Sequence, residues 1–250
     1  MIKRITALFL SAALTFSVSG CIAAPAPKTL LRQTGSGSEG KSVYTGTTTF
    51  DPVYYPYYSM LGQSAKDAYA MIYDGLVAGQ NNIKLGGGMT PRDVTDAFNM
   101  VLLDHPELFW VRTDFNYSYM EVTGAVTSAT FNFYDFALTP ESLAKAKQDF
   151  EKAANAIITG AKSYSTAIEK ELYIHDEINK SAEYDSDARY SQSAYSALIT
   201  HSSVCAGYAR AFQYLMQKSG IPCYYCAGTA DGEAVAATGG SENRDLILQC

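Results

Sequence analysis

Residues 203–212 read Ser203-Val204-Cys205-Ala206-Gly207-Tyr208-Ala209-Arg210-Ala211-Phe212, and the architecture of the chain is built around them. A polar loop gives way to apolar residues at helical spacing, which predicts a helix over residues 205–218 with the cysteine at its mouth. A thiol there feels the positive end of the helix dipole and the first-turn N–H groups. Both favour thiolate, the form that attacks a carbonyl carbon. A strand is predicted directly after the helix, over Ile221-Pro222-Cys223-Tyr224-Tyr225-Cys226-Ala227-Gly228. A cysteine nucleophile works with a histidine base and a group that orients it. No histidine follows His201 in the 250 residues.

Upstream, Ala65, Tyr69, Ile72 and Leu76 recur at helical spacing and predict a helix over residues 64–78. Gly86-Gly87-Gly88 interrupts the chain. Thr90-Pro91-Arg92-Asp93 then reads as an N-cap, a proline at the first helical position and an acid in the first turn. That second helix runs to about residue 103, with Val94, Phe98, Val101 and Leu102 inward. Alternation at Phe115, Tyr117 and Tyr119, then Gly124 and a second apolar run, predicts an antiparallel hairpin packed on the two helices. Thr139-Pro140-Glu141 repeats the cap signal for a helix to about residue 158, with Leu143, Phe150 and Ile157 inward. A further helix over residues 166–179 is expected to bury Ile168, Leu172, Ile174 and Ile178. His175, near that face, reads as a structural histidine.

Lys3 and Arg4 followed by an almost wholly apolar run over residues 5–18 predict a signal segment over residues 1–20. It ends in Val18-Ser19-Gly20-Cys21, which resembles a bacterial lipobox, so Cys21 is the expected lipid-attachment residue and the membrane an expected partner. Residues 21–42, with Pro25, Pro27 and a Gly/Ser-rich run, read as a flexible tether. The expected location is a lipid-anchored bacterial cell surface. A net charge of −6, with no basic run beyond the first few residues, excludes nucleic acid as an expected partner. Cys223 and Cys226 stand three apart on the predicted strand, where they point to opposite faces. They read as small buried residues, neither a redox pair nor half of a zinc site.

Several segments together resemble the core of the bacterial transglutaminase-like superfamily: Ser193-Ala194-Tyr195-Ser196-Ala197-Leu198-Ile199, then Val204-Cys205-Ala206-Gly207-Tyr208-Ala209, then Phe212-Gln213-Tyr214-Leu215-Met216, then Gly220-Ile221-Pro222-Cys223. The resemblance covers roughly residues 165–230. The segment with His105, Pro106, Leu108, Phe109 and Trp110 is similar to the N-terminal part of lipoproteins carrying this domain. The resemblance implies a papain-like α+β core and a Cys-His-Asp triad in which Cys205 is the nucleophile. It implies no metal or organic cofactor.

In the family, a histidine in a His-Ala-Trp-like segment follows soon after the position of Gly228 and Thr229. Here that place holds Gly232-Glu233-Ala234-Val235-Ala236-Ala237, and residues 234–250 lack the alternation of core strands. Ile247-Leu248-Gln249-Cys250 and a stop can be encoded so that another frame reads Tyr-Tyr-Asn-Val-Asp. A frameshift, a fragment and a naturally degenerate domain all stay open. His201, four residues before Cys205, is the local alternative for a base.

The expected fold class is therefore α+β: a helical N-terminal region with an antiparallel hairpin (residues 43–138), then a transglutaminase-like, papain-like core (139–233) incomplete at its C-terminus, and an atypical tail (234–250). The expected chemistry is acyl transfer, or amide or peptide hydrolysis, through Cys205 in a complete form, with the 250 residues inactive. Protein, peptide or cell-wall material is the expected substrate. The alternative is a non-catalytic surface module that binds peptide or wall material.

Overall fold

Threonine–proline caps start two helices of this protein, whose computed structural model describes residues 2–6, 43–230 and 233–236. Two compact units emerge, dividing between Tyr134 and Asp135. In the first, α1 (Pro56–Ser59) precedes α2 (Gln63–Val77), β2 (Asn82–Lys84) and α3 (Pro91–Asp104). At the start of α3 the Asp93 N–H donates to Thr90 Oγ1 at 3.2 Å and the Thr90 N–H to Asp93 Oδ2 at 2.9 Å. This reciprocal pair satisfies two donors that a helix start leaves without intrahelical partners. All the residues expected inward on α2 and α3 are buried, Ala65, Tyr69, Ile72 and Leu76 on one and Val94, Phe98, Val101 and Leu102 on the other.

The hairpin forms as β3 (Val111–Met120) and β4 (Val126–Phe133), with Phe115 opposite Phe131 and Tyr117 opposite Ala129. Phe98 of α3 packs on both phenylalanines, with ring centroids 4.9 Å and 4.6 Å away. The two-stranded pattern grows into an antiparallel sheet in the order β1-β3-β4-β2, where β1 is Ile2–Thr6. The residues read as the basic start of a signal segment thus pair along β3.

A buried polar network ties α1, α2 and α3 together. Asp104, 1 % exposed, accepts from the Tyr69 hydroxyl at 2.9 Å and from the backbone N–H groups of Tyr57 and Tyr58 at 3.3 Å and 2.9 Å. His105 joins Tyr69 on one ring nitrogen at 2.8 Å and Glu107 on the other at 2.7 Å. The Tyr55 ring stacks on His105 with centroids 4.5 Å apart. Burial raises the Asp104 carboxyl from 3.8 to about 6, against the opposing pull of the Tyr69 and backbone hydrogen bonds. For Glu107 burial acts upward too, but His105 and its hydrogen bond leave the carboxyl below its ordinary value.

A carboxyl whose folded value exceeds its unfolded one stabilises the fold while protonated. That contribution is complete below about pH 4 and is lost as pH rises through about 6. It amounts to roughly 2–3 kcal/mol. Urea midpoints should therefore show stability falling from pH 4.5 to 6.5 through this group, and Asp104→Asn should flatten that fall while lowering stability throughout. Glu107 acts in the opposite sense at lower pH, outside the window. An equally steep fall in the variant would refute the assignment.

In the second unit α4 (Pro140–Ala161) and α5 (Ala167–Ser181) each start in a capping box, at Thr139/Ser142 and Thr166/Glu169. Leu143 and Phe150 are buried, and Ile157 is half-buried. On α5 the expected face splits. Ile174 and Ile178 are buried, but Ile168 and Leu172 are 69 % and 59 % exposed. The two pairs lie about 120° apart around a helix of 3.6 residues per turn, and the packed side takes only one of them.

β5 (Glu183–Tyr184) pairs in parallel with β6 (Ser202–Ser203), which leads into α6 (Cys205–Lys218). The strand expected over residues 221–228 is corrected: residues 221–226 are irregular, and β7 (Ala227–Ala230) begins after them. Strand geometry needs a ladder partner, and Pro222 has no N–H to give one. β7 pairs antiparallel with β8 (Glu233–Ala236), so residues 234–236, taken from sequence as lacking strand character, are strand. The mixed helix and strand architecture is α+β, as expected.

Candidate functional site

Helix α6 starts at Cys205, with Val204 in an extended conformation as its N-cap and no side chain capping it. In the first turn the Gly207 N–H donates to the Val204 carbonyl at 3.0 Å, and the N-terminal end of such a helix carries partial positive charge that favours an anion beside it. Cys205 is 3 % exposed, so the residue is almost wholly buried. Cys223 is fully buried and Cys226 half-buried, and none of the three forms a disulfide.

What fixes the helix start is a set of small residues behind it. Ser196 Oγ donates to the Ser193 carbonyl at 2.8 Å and shares a 2.6 Å hydrogen bond with Ser203 Oγ. Gly207 lies against this cluster, and a Cβ there would collide with both hydroxyls and sit 2.9 Å from the Ser193 carbonyl oxygen. One position further, the Tyr208 hydroxyl donates to the Ala182 carbonyl at 2.6 Å, tying α6 to the C-terminal end of α5. Gly207 and Tyr208, the second and third residues after Cys205 in the motif, thus pin the first turn of α6 against its neighbours.

Tyr225 was not singled out by sequence reasoning. It is 5 % exposed, and the Arg210 guanidinium lies 4.7 Å from its ring centroid. Burial pushes its phenol up, Arg210 pulls the other way, and charge on Cys205 adds to the rise, so the phenol is within electrostatic reach of the thiol.

His201, the alternative base, is exposed and sits in the left-handed region at φ 56°, capping the π-helical turn Ser196–Thr200. His175 is exposed as well and bonds to its helix neighbours Asp176 and Asn179. Neither has the buried setting of Cys205. Cys21 and the tail from residue 237 lie outside the described residues. No helix among the described residues is long and apolar enough to cross a membrane.

The same unit carries an open cleft of about 510 Å³ with an aromatic and acidic lining, including Phe136, Tyr190, Tyr195, Asp185, Asp187 and Ser202. These positions are scattered over 67 residues with no common periodicity, and only the fold assembles them.

Among curated proteins no match to the chain is found. Residues 151–244 do match a family model, and the matched stretch takes in α5, the serine cluster, Cys205 with its helix, β7 and β8. It also extends to residue 244, into the segment read from sequence as foreign to the fold. The model is that of the transglutaminase-like superfamily, and the match over residues 151–244 suggests a cysteine-dependent acyltransferase or protease family.

Proposed function

We propose that the protein is a lipid-anchored surface protein whose transglutaminase-like domain carries the nucleophile for cysteine-dependent acyl transfer, or amide or peptide hydrolysis, at Cys205, with turnover requiring a base that residues 1–250 do not place beside it. One observation carries the chemistry: within the matched domain, Cys205 is the first residue of α6, held there by Gly207 and Tyr208. The thiolate attacks a carbonyl carbon, the C–N bond breaks as the amine takes a proton from a general acid or from water, and water or a second amine then resolves the thioester. First-turn N–H groups would hold the developing oxyanion. The test is acyl trapping on Cys205 from an activated ester, with Cys205→Ala as the control.

The location rests on the charged start, the apolar run and Val18-Ser19-Gly20-Cys21. Mass spectrometry of the membrane fraction should find an acylated Cys21 at the mature N-terminus. Processing there would also remove β1 and leave β3 as a sheet edge. An intact Met1 N-terminus, or a Cys21→Ser variant that still partitions to the membrane, would reject the anchor. A second reading, a binding module without turnover, is favoured by the open aromatic and acidic cleft in the same unit. Protein, peptide or cell-wall material is the substrate or ligand class in either case.

A further inference from the structure

Three short contacts in the first unit run end to end through four titratable groups. Asp104 Oδ2 lies 2.9 Å from the Tyr69 hydroxyl, that hydroxyl 2.8 Å from His105 Nε2, and His105 Nδ1 2.7 Å from Glu107 Oε1. A hydrogen bond at each contact needs one hydrogen between its two heavy atoms. Two carboxylates offer none, the phenol offers one and a neutral imidazole offers one. Two hydrogens do not fill three contacts. The intact chain therefore holds one proton more than two carboxylates, a phenol and a neutral imidazole carry.

That proton has two places to sit. With an imidazolium, Tyr69 donates to Asp104, and the His105 nitrogens donate to the Tyr69 oxygen and to Glu107. With a protonated Asp104, the carboxyl donates to the Tyr69 oxygen, Tyr69 donates to Nε2, and Nδ1 donates to Glu107. The two forms interconvert when the Nε2 proton passes to the Tyr69 oxygen as the phenol proton passes to Asp104 Oδ2. No proton enters or leaves, and the total charge stays one negative. Tyr69, Asp104 and His105 are almost wholly buried, so losing the proton would leave two negative charges in a poorly solvated place. The neighbours on every side are accounted for. From α1, the Tyr57 and Tyr58 N–H groups donate to Asp104, and the Tyr55 ring stacks on His105. From α2, the Tyr73 ring lies 4.1 Å from the His105 ring, and its hydroxyl donates to Glu107 at 3.4 Å. Further out, Asp51 acts on Tyr55, while Asp67 acts on Tyr58 and Lys66 lies over its ring. Among the described residues no lysine or arginine pairs with Asp104 or Glu107.

We propose that Asp104, Tyr69, His105 and Glu107 form a proton-operated latch, closed by one proton relayed through the Tyr69 hydroxyl and opened at the Tyr69–His105 contact when that proton leaves. Without it, bonds to charged acceptors keep Tyr69 on Asp104 and Nδ1–H on Glu107, since these are the stronger ones. The Nε2 lone pair then faces the phenol oxygen with no hydrogen between them. The imidazole is pushed away, and the stack with Tyr55, the N-cap of α1, goes with it. The latch joins α2 to the connection between α3 and β3, so rising pH loosens the first unit at this point. It lies outside residues 151–244 and does not depend on the reading of Cys205.

The experiment is an NMR titration of the full chain between about pH 4.5 and 8, following the Asp104 carboxyl carbon and the His105 ring nitrogens. Gln variants of His175 and His201 identify the signals of the other two histidines. Asp104 and His105 signals should change in one transition with a common midpoint, and the Tyr55–His105 ring NOE should vanish through it. Tyr69→Phe keeps the ring and removes the relay, so the two midpoints should separate by at least about one pH unit. A phenol that only supports the fold would lower stability in this variant and leave the midpoints together. Glu107→Gln, at the half-buried end of the chain, is the second variant in case Tyr69→Phe does not fold. It removes a negative charge that helps to hold the proton, so the common midpoint should fall with both signals moving together. Separate midpoints in the wild type, a His105 signal that stays flat while Asp104 titrates, or an NOE that survives the transition would overturn the latch. So would midpoints that stay together in a folded Tyr69→Phe, or a Glu107→Gln that moves only one of the two.

Discussion

Gly207→Ala should destabilise the second unit by about 2–4 kcal/mol, and Gly207→Val should prevent it from folding. The added Cβ meets two hydroxyls fixed by mutual hydrogen bonds and a backbone carbonyl that cannot turn aside. Overpacking of this kind costs about 1–3 kcal/mol. Breaking the Ser196–Ser203 pair to make room strands buried hydroxyls, at a similar additional cost. Better helix propensity offsets about 1 kcal/mol of the sum. Urea unfolding of Gly207→Ala beside Ser196→Ala and the double variant measures the coupling, since removing one hydroxyl should recover part of the loss. A Gly207→Ala protein as stable as the parent would mean that α6 does not pack as described.

That glycine was legible in the sequence as part of a motif, but its reason was not. The motif carries Gly207 beside Cys205, whereas Ser193, Ser196 and Ser203 enter the contact only after two loops fold back. Helix starts at Thr90, Thr139 and Thr166 were readable because caps are local, set by residues three apart. The buried faces of α2 and α3 followed from spacing for the same reason. α5 misled because it carries two apolar stripes, and spacing alone does not say which of them meets a neighbour. Residues 221–226 misled because apolar, β-branched and aromatic composition describes a strand only when a ladder partner is supplied. The polar network of Asp104, His105 and Tyr69 was missed outright. Asp104-His105 reads locally as a helix stop, and the partner hydroxyl is 35 residues upstream of the carboxylate.

The second large effect concerns turnover. The 250-residue protein should hydrolyse or transamidate unactivated carboxamides at rates at least ~10²–10⁴-fold below those of a complete triad. The sulfur has a helix start to favour its charge, but expulsion of an amine needs a proton donor in place. His201 and His175 are both exposed, and no histidine lies in residues 202–250. His201→Ala should leave the residual rate unchanged. Ammonia release from glutamine peptides, followed at neutral pH, reads this directly. Turnover abolished by both Cys205→Ala and His201→Ala would make His201 the base and replace the account of the missing partner.

The half-reaction separates nucleophile from base. p-Nitrophenyl acetate carries a leaving group that departs as an anion without protonation, so a thiolate alone suffices: the C–O bond breaks, the S–C bond forms, and nitrophenolate is released. Peptide mass spectrometry after brief exposure near neutral pH should find a single acetyl on Cys205, sensitive to hydroxylamine. It should be absent from Cys205→Ala and from the more exposed Cys226. Acetyl on Cys226 with none on Cys205 would contradict the claim that α6 presents a nucleophile.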